Sequence, residues 1–238
     1  MKQAKIIFLR HGECEGGEIA RGQIDVALTA LGREQMHQAF NGVPLPIKQI
    51  FSSPLVRCQY FADVLSQQLS IPVTTLPALQ EINFGVWDGQ TYDAIYQASP
   101  SQFDAYWKDP WHVANTPENG ESLVDFSVRV QQGLMAVVDS LWQTLHLASE
   151  LEVNPQQALV VTHGGVMRCI MAHVLNTSQN NGLFANLAIP YAAIMSIDVY
   201  WTEPSDSNEP LTKNSVSQPE VSFRLNWPQQ VHMAVDTR

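Results

Sequence analysis

The chain has 238 residues, 45% of them hydrophobic and 15% charged, with a formal charge of −10 at pH 7. That length accommodates one large globular domain with room for a small cap, and it is enough to bury a full core. The acidic balance argues against a general nucleic-acid surface and against attraction to anionic membranes.

The basic residues are unevenly placed. Residues 1–60 hold Lys2, Lys5, Arg10, Arg21, Arg33, Lys48 and Arg57 against five acids, a net +2 that leaves −12 for the rest. An acidic protein that must hold an anion needs a local basic pocket, and this segment can supply it. Cys14, Cys58 and Cys169 are odd in number and widely spaced, which disfavours a disulfide framework and fits a reducing, cytoplasmic setting. Ile6-Ile7-Phe8-Leu9 is too short for a signal-peptide core, and no apolar run reaches transmembrane length, so no membrane partner is expected.

In chain order, Lys5–Leu9 reads as a short buried strand and residues 12–27 as a long Gly-rich loop. Thr29 is placed to cap a helix running to Gln38. Gln49–Ser52 reads as a second strand. Ser53-Pro54 then reads as a helix start, with Ser as cap, Pro in the first turn, and Phe61, Val64, Leu65 and Leu69 as the buried face. Residues 71–80 are extended and broken by Pro. Residues 85–120 carry Trp87, Tyr92, Tyr96, Phe103, Tyr106, Trp107 and Trp111 between short helical stretches, which predicts an inserted helical cap.

Ser122 and Asp125 resemble a capping box. Leu123, Phe126, Val130, Leu134, Val137, Leu141 and Leu145 recur at helical spacing behind it. Ala158–Thr162 reads as a strand, Gly165–Leu175 as a helix, and Ala192–Tyr200 and Val221–Asn226 as late strands. Residues 203–219, rich in Ser, Asn, Pro and acids, read as a mobile loop rather than a boundary, so 1–238 is expected to be one domain. The alternation predicts an α/β fold: three layers, α/β/α, around a mostly parallel mixed sheet.

Open α/β sheets bind ligands beyond the carboxyl ends of their strands. His11 and His163 sit at two such ends, each followed by Gly, which lets backbone approach a ligand. Arg10 precedes the first, and Arg57 lies early in the helix after the second strand. Two guanidinium forks match a phosphate, the Gly164-Gly165 amides at a helix start add anion affinity, and an imidazole with a free nitrogen can attack phosphorus. Glu81, in Leu79-Gln80-Glu81-Ile82-Asn83-Phe84-Gly85, is the candidate proton donor. Each of these residues taken singly also fits a structural role; their order and topology together carry the reading.

These stretches resemble the histidine phosphatase superfamily, with its phosphoglycerate mutase-like fold. The matching segments are Phe8-Leu9-Arg10-His11-Gly12-Glu13, Leu28-Thr29-Ala30-Leu31-Gly32, Ser52-Ser53-Pro54-Leu55-Val56-Arg57, Glu81 to Gly89, and Val161-Thr162-His163-Gly164-Gly165. The resemblance implies that His11 is phosphorylated, that Arg10, Arg57 and His163 hold the phosphoryl group, and that Glu81 donates the proton. It implies no metal and no cofactor.

Two departures stand out. Cys14 replaces the family's usual Thr or Ser, and Gly17 falls where phosphate-tuned members carry Asn. Gly22 and neighbouring amides are then expected to make the loop's contacts. Arg21 reads as a surface charge, with an extra phosphate ligand as the alternative, and Cys14 as a candidate oxidisable thiol.

Trp107, Trp111 and Asn119-Gly120-Glu121-Ser122 resemble the alpha-ribazole phosphatase branch, which implies a nucleotide-like ester as substrate and a role in cobalamin assembly. Tyr92, with Trp87, Tyr106 and Trp107, is a candidate stacking surface for a flat base. A broad-specificity small-molecule phosphatase is the alternative. A mutase is disfavoured because residues 82–120 hold one basic residue, Lys108, amid Asp88, Asp93, Asp104, Asp109 and Glu118, which should repel a second anion. The presence of all five site residues disfavours a non-catalytic relative. A small phosphorylated substrate is the expected partner, and a homodimer is compatible with the class.

Overall fold

The computed structural model describes residues 2–147, 156–202 and 219–226. In chain order the elements are β1 (Lys2–Arg10), α1 (Ala30–Asn41), β2 (Gln49–Ser52), α2 (Val56–Leu69), β3 (Val73–Thr75), α3 (Tyr92–Ala98), α4 (Pro100–Lys108), α5 (Leu123–Leu147), β4 (Gln156–Thr162), α6 (Gly164–Val174), α7 (Asn181–Ala185), β5 (Ile194–Thr202) and β6 (Glu220–Asn226). The strands form one mixed sheet in the order β3-β2-β4-β1-β5-β6. β3, β2, β4 and β1 run parallel, while β5 is antiparallel to β1 and β6 to β5.

The continuous apolar run of β1 is explained by burial on both faces. Ala4, Ile6 and Phe8 join Phe51, Ala158 and Val160 against Phe126, Val130 and Leu134 of α5 and Val166 and Met167 of α6. Ile7 and Leu9 join Ile50, Leu159 and Val161 against Met36 of α1 and Phe61 and Leu65 of α2. This alternation makes the three layers. The stripe predicted for α5 is buried from Leu123 through Leu141, with Leu145 half-buried. Its start is held by Ser122 Oγ, which accepts from the Asp125 amide at 3.1 Å.

The aromatic segment forms α3, α4 and single turns of 3-10 helix at Gly85–Trp87 and Val113–Asn115. Trp87 and Tyr106 lie edge to face at 5.4 Å and belong to the same core cluster as the sheet.

Several expectations are corrected. Ser53 does not cap α2, which begins at Val56 with Leu55 in the cap position. The Ser53 amide donates to Val161 O at 3.0 Å and so prolongs the ladder between β2 and β4. Pro54 therefore precedes the helix instead of opening it. Val64 and Leu69 are half-buried, because α2 turns its deepest face through Phe61, Ala62 and Leu65. Residues 71–80 contain a three-residue edge strand and a 3-10 turn at Pro77–Leu79. Within the expected loop at 203–219, residues 203–218 lie outside the described residues. Among the described residues no helix is long and apolar enough to cross a membrane.

Candidate active site

Three neighbouring strands end at one rim. Arg10 on β1 is in register with Thr162 on β4, and the His11 amide donates to Thr162 O at 2.9 Å. His11 and His163 therefore leave parallel strands at the same level, with ring centroids 5.3 Å apart. Ser53, which follows β2, places its Oγ 2.7 Å from His163 Nε2.

His11 is 3% exposed, and its Nδ1 lies 2.8 Å from Gly12 O. A carbonyl only accepts, so Nδ1 carries the proton and Nε2 keeps its lone pair. Among the described residues Nε2 has no hydrogen-bond partner. Burial and the nearby Arg57 and Arg10 guanidiniums push the His11 pKa well below the ordinary histidine value. The ring is thus held neutral with one nitrogen free. Cys14 Sγ is 3.4 Å from His11 Nδ1, but it is 3% exposed and burial pushes its thiol up. That environment disfavours the thiolate through which the oxidation expected of Cys14 would proceed.

Arg57 is fully buried. Its Nε donates to His163 Nδ1 at 3.3 Å, its Nη1 to Ile24 O at 2.8 Å and its Nη2 to Gly22 O at 2.6 Å. A guanidinium cannot accept, so His163 Nδ1 is the acceptor and Nε2–H faces Ser53. Burial, with Arg57 beside it, holds His163 well below the usual histidine range. Gly22 binds Arg57 through its carbonyl, and its amide donates to Asp88 Oδ1 at 2.9 Å. The amide expected to face substrate therefore anchors the loop.

Glu81 is 8% exposed and fixed at both carboxylate oxygens, with Oε1 accepting from the Ile82 amide at 3.0 Å and Oε2 from the Gly165 amide at 3.0 Å. A Cβ at Gly165 would overlap Glu81 Oε1, so only glycine lets α6 start this close to the acid. The segment carrying Glu81 is clamped from α5. Arg129 Nη1 donates to the Ala78 and Gln80 carbonyls at 3.0 and 3.1 Å, and Nη2 to Glu81 O at 3.3 Å. The same guanidinium pairs with Glu121 at 2.7 and 2.8 Å.

A cleft of about 380 Å³ opens beside these groups. Arg10, Glu81, Gly164 and Gly165 line it together with Ile82, Phe84, Tyr92, Trp107 and Phe184. Arg10 lies 4.5 Å over the Tyr191 ring and donates to Ile189 O, with its buried Nε left without a partner. His11, Arg57 and His163 are buried and are not on the lining, whereas Arg10 is.

Sequence reasoning missed Ser53, Tyr191 and Arg168. Arg168 stands five residues after His163, inside the first turns of α6, so the rule that selected Arg57 would also have found it. Tyr191 comes from the loop before β5 and carried no local signal. Arg21, expected at the surface, lines the cleft and donates to Tyr191 Oη at 3.2 Å. Of the four stacking candidates, Trp87 and Tyr106 are core residues, and Tyr92 and Trp107 face the cleft. The acids expected to repel a second anion, Asp88, Asp93, Asp104, Asp109 and Glu118, are not on its lining.

Two buried neutral histidines make stability pH-dependent. Unfolded histidines titrate near ~6.5. The folded values lie well below, so in between the unfolded chain binds more protons and stability rises with pH. Stability is therefore expected to be fully present above about pH 6.5 and to fall below it by up to about 1.4 kcal/mol per pH unit for each histidine. Denaturant titrations across that range check this; a flat stability in the acid range would mean that these rings are charged in the folded state.

Among the described residues no group of three His, Cys, Asp or Glu side chains is placed to hold a metal ion. The sequence profile of the histidine phosphatase superfamily (branch 1) matches residues 6–205. An adenosylcobalamin/alpha-ribazole phosphatase of Escherichia coli is 28% identical over 72% of this chain and 79% of its own length. A glucosyl-3-phosphoglycerate phosphatase of Mycolicibacterium vanbaalenii is 31% identical over 76% of this chain and 78% of its own. The structure of a mycobacterial glucosyl-3-phosphoglycerate phosphatase superposes with a TM-score of 0.69 at 25% identity, covering 84% of this chain and 92% of that one. With the two histidines, the arginines and the buried glutamate converging at one rim of a mixed sheet, and a profile match across most of its length, the chain belongs to the histidine phosphatase superfamily, branch 1.

Proposed function

We propose that this phosphatase hydrolyses small phosphate monoesters through a phosphohistidine formed on His11. The observation that carries the reading is the fixed tautomer of His11: its proton is on Nδ1, which leaves the Nε2 lone pair free on a ring that feels the charges of Arg57 and Arg10.

Arg10 holds the phosphate dianion at the cleft, and Arg57 adds positive charge from behind. His11 Nε2 attacks phosphorus in line with the leaving oxygen, while Glu81 gives that oxygen its proton. Charge spreading over the equatorial oxygens is stabilised by Arg10, Arg57 and His163, with Gly164 leaving room for the phosphate to approach. Water then gives a proton to the Glu81 carboxylate and attacks the phosphohistidine, which releases phosphate and restores both residues. The chain acts in this reading as a single cytoplasmic domain without a cofactor.

For the leaving group, alpha-ribazole 5′-phosphate is supported by the Tyr92 and Trp107 rings at the cleft and by the relative of that name. A glycosylated phosphoglycerate is supported by a different observation, the additional arginines of the cleft, and by the second relative. A panel of both esters, 3-phosphoglycerate and simple sugar phosphates is expected to give phosphate release and an acid-labile, base-stable phosphoenzyme. Isomerisation of phosphoglycerate at enzyme-like rates, without net hydrolysis, would overturn the hydrolase reading.

A further inference from the structure

The loop between β1 and α1 holds Arg57 by its side chain and by the main chain beside it. Gly22 O and Ile24 O accept from its Nη2 and Nη1 at 2.6 and 2.8 Å. Asp25 Oδ1 accepts from the amide of Val56, the residue before it, at 2.7 Å. Nε is taken by His163 Nδ1 at 3.3 Å. A guanidinium carries five N–H groups, so two remain, one on each Nη. Three acceptors fix the plane of the fork, and two of the three are loop carbonyls. The loop therefore decides where the remaining N–H groups point.

Asp88 holds that loop from the other side. Its Oδ1 accepts from the Gly22 amide at 2.9 Å and its Oδ2 from the Gln23 amide at 2.6 Å. The Gln23 amide and the Gly22 carbonyl belong to one planar peptide group. Asp88 grips one end of that plane and Arg57 the other. A Cβ at Gly22 would overlap Ile82 O and meet Asp88 Oδ2 at 2.8 Å, so only glycine lets the loop lie this close. Backbone bonds already attach the loop at Ala20, whose amide donates to Gln90 O and whose carbonyl accepts from the Gly89 amide, each at 2.8 Å. What Asp88 adds is the orientation of the peptide that Arg57 uses. Asp88 itself is not on the cleft lining, so any effect it has on the chemistry passes through the loop.

Building on the hydrolase reading above, in which Arg57 stabilises the transferring phosphoryl group, we propose that Asp88 is a positioning residue that aims the Arg57 fork through the peptide group between Gly22 and Gln23. Its action falls on the phosphoryl end, which every ester shares, and not on the leaving group.

The test uses Asp88→Asn, which keeps the shape but offers one acceptor oxygen and turns an NH₂ towards the second amide. A misplaced fork is expected to lower kcat/KM by about 10- to 100-fold. The loss should be similar for p-nitrophenyl phosphate and for sn-glycerol 3-phosphate. The inhibition constant of orthovanadate, which mimics the five-coordinate transition state, should rise by a comparable factor. In an Arg57→Lys background the same substitution should cost less than about threefold, because the two residues act as one unit. Asp88→Glu, which keeps both oxygens on a longer stem, should lose less, and it carries the same comparison if Asp88→Asn does not fold. Losses that multiply with those of Arg57→Lys, losses confined to the alkyl ester, or a lowered Tm with unchanged kcat/KM and vanadate inhibition would each overturn the proposal. A wild type that hydrolyses neither ester would instead sink the hydrolase reading on which it rests.

Discussion

His11→Ala is expected to lower kcat by ~10⁴- to 10⁶-fold, the range seen when a nucleophile is removed, and to abolish phosphoenzyme labelling. The physical reason is the absence of a substitute. His163 lies 5.3 Å away by ring centroid, but its Nδ1 is taken by Arg57 and its Nε2 by Ser53, so it has no free lone pair to offer phosphorus. Cys14 Sγ is within 3.4 Å of His11 Nδ1, yet burial keeps its thiol protonated and a poor nucleophile. Substrate affinity should change far less, because Arg10 still lines the cleft. Fast turnover by the variant with a labelled protein would show that another residue takes the phosphoryl group.

Arg129→Met is expected to separate leaving-group chemistry from binding. Arg129 stands on α5, outside the cleft lining, and its role is to hold the Glu81 segment by the carbonyls of residues 78, 80 and 81 while pairing with Glu121. Without it Glu81 loses its fixed position, and a misplacement of about 1 Å costs on the order of 10²-fold in rate. The loss should fall on alkyl phosphates, whose alkoxide must be protonated as it leaves. It should be much smaller for p-nitrophenyl phosphate, whose phenolate leaves without a proton. Stripping Glu121 of its partner should also destabilise the fold by about 1–3 kcal/mol. Equal losses on both ester types would mean that Arg129 supports the fold alone.

The helical stripe from Leu123 to Leu141, the strand Gln49–Ser52 and the cap at Thr29 were legible because each rests on local periodicity or on a side chain satisfying a nearby amide. The Ser53 cap failed for the converse reason. The same residue types serve a helix start or a strand end, and the choice was made by Val161 O, which lies far away in sequence and claims the Ser53 amide. The acids of 82–120 show the same dependence on distant contacts. Their sign is written in the chain, but their distance from the cleft is not, and Asp88 spends its carboxylate on the amides of Gly22 and Gln23. Composition of a segment therefore does not say which of its acids line a cavity assembled largely from other segments.

By itself the sequence determined the layered α/β architecture and the identities of Arg10, His11, Arg57, Glu81 and His163 as site candidates, since strand ends and helix starts are local features that aim side chains at one rim. Only the tertiary structure decided how these residues are used. The register between β1 and β4 sets the distance between the two histidines, the partners of Arg57 and Gly12 O fix their tautomers, and Arg168, Arg21 and Tyr191 reach the cleft from separate segments. Those outcomes depend on contacts between residues up to about a hundred or more positions apart, and no local pattern records which pairs the packed core brings within hydrogen-bond range.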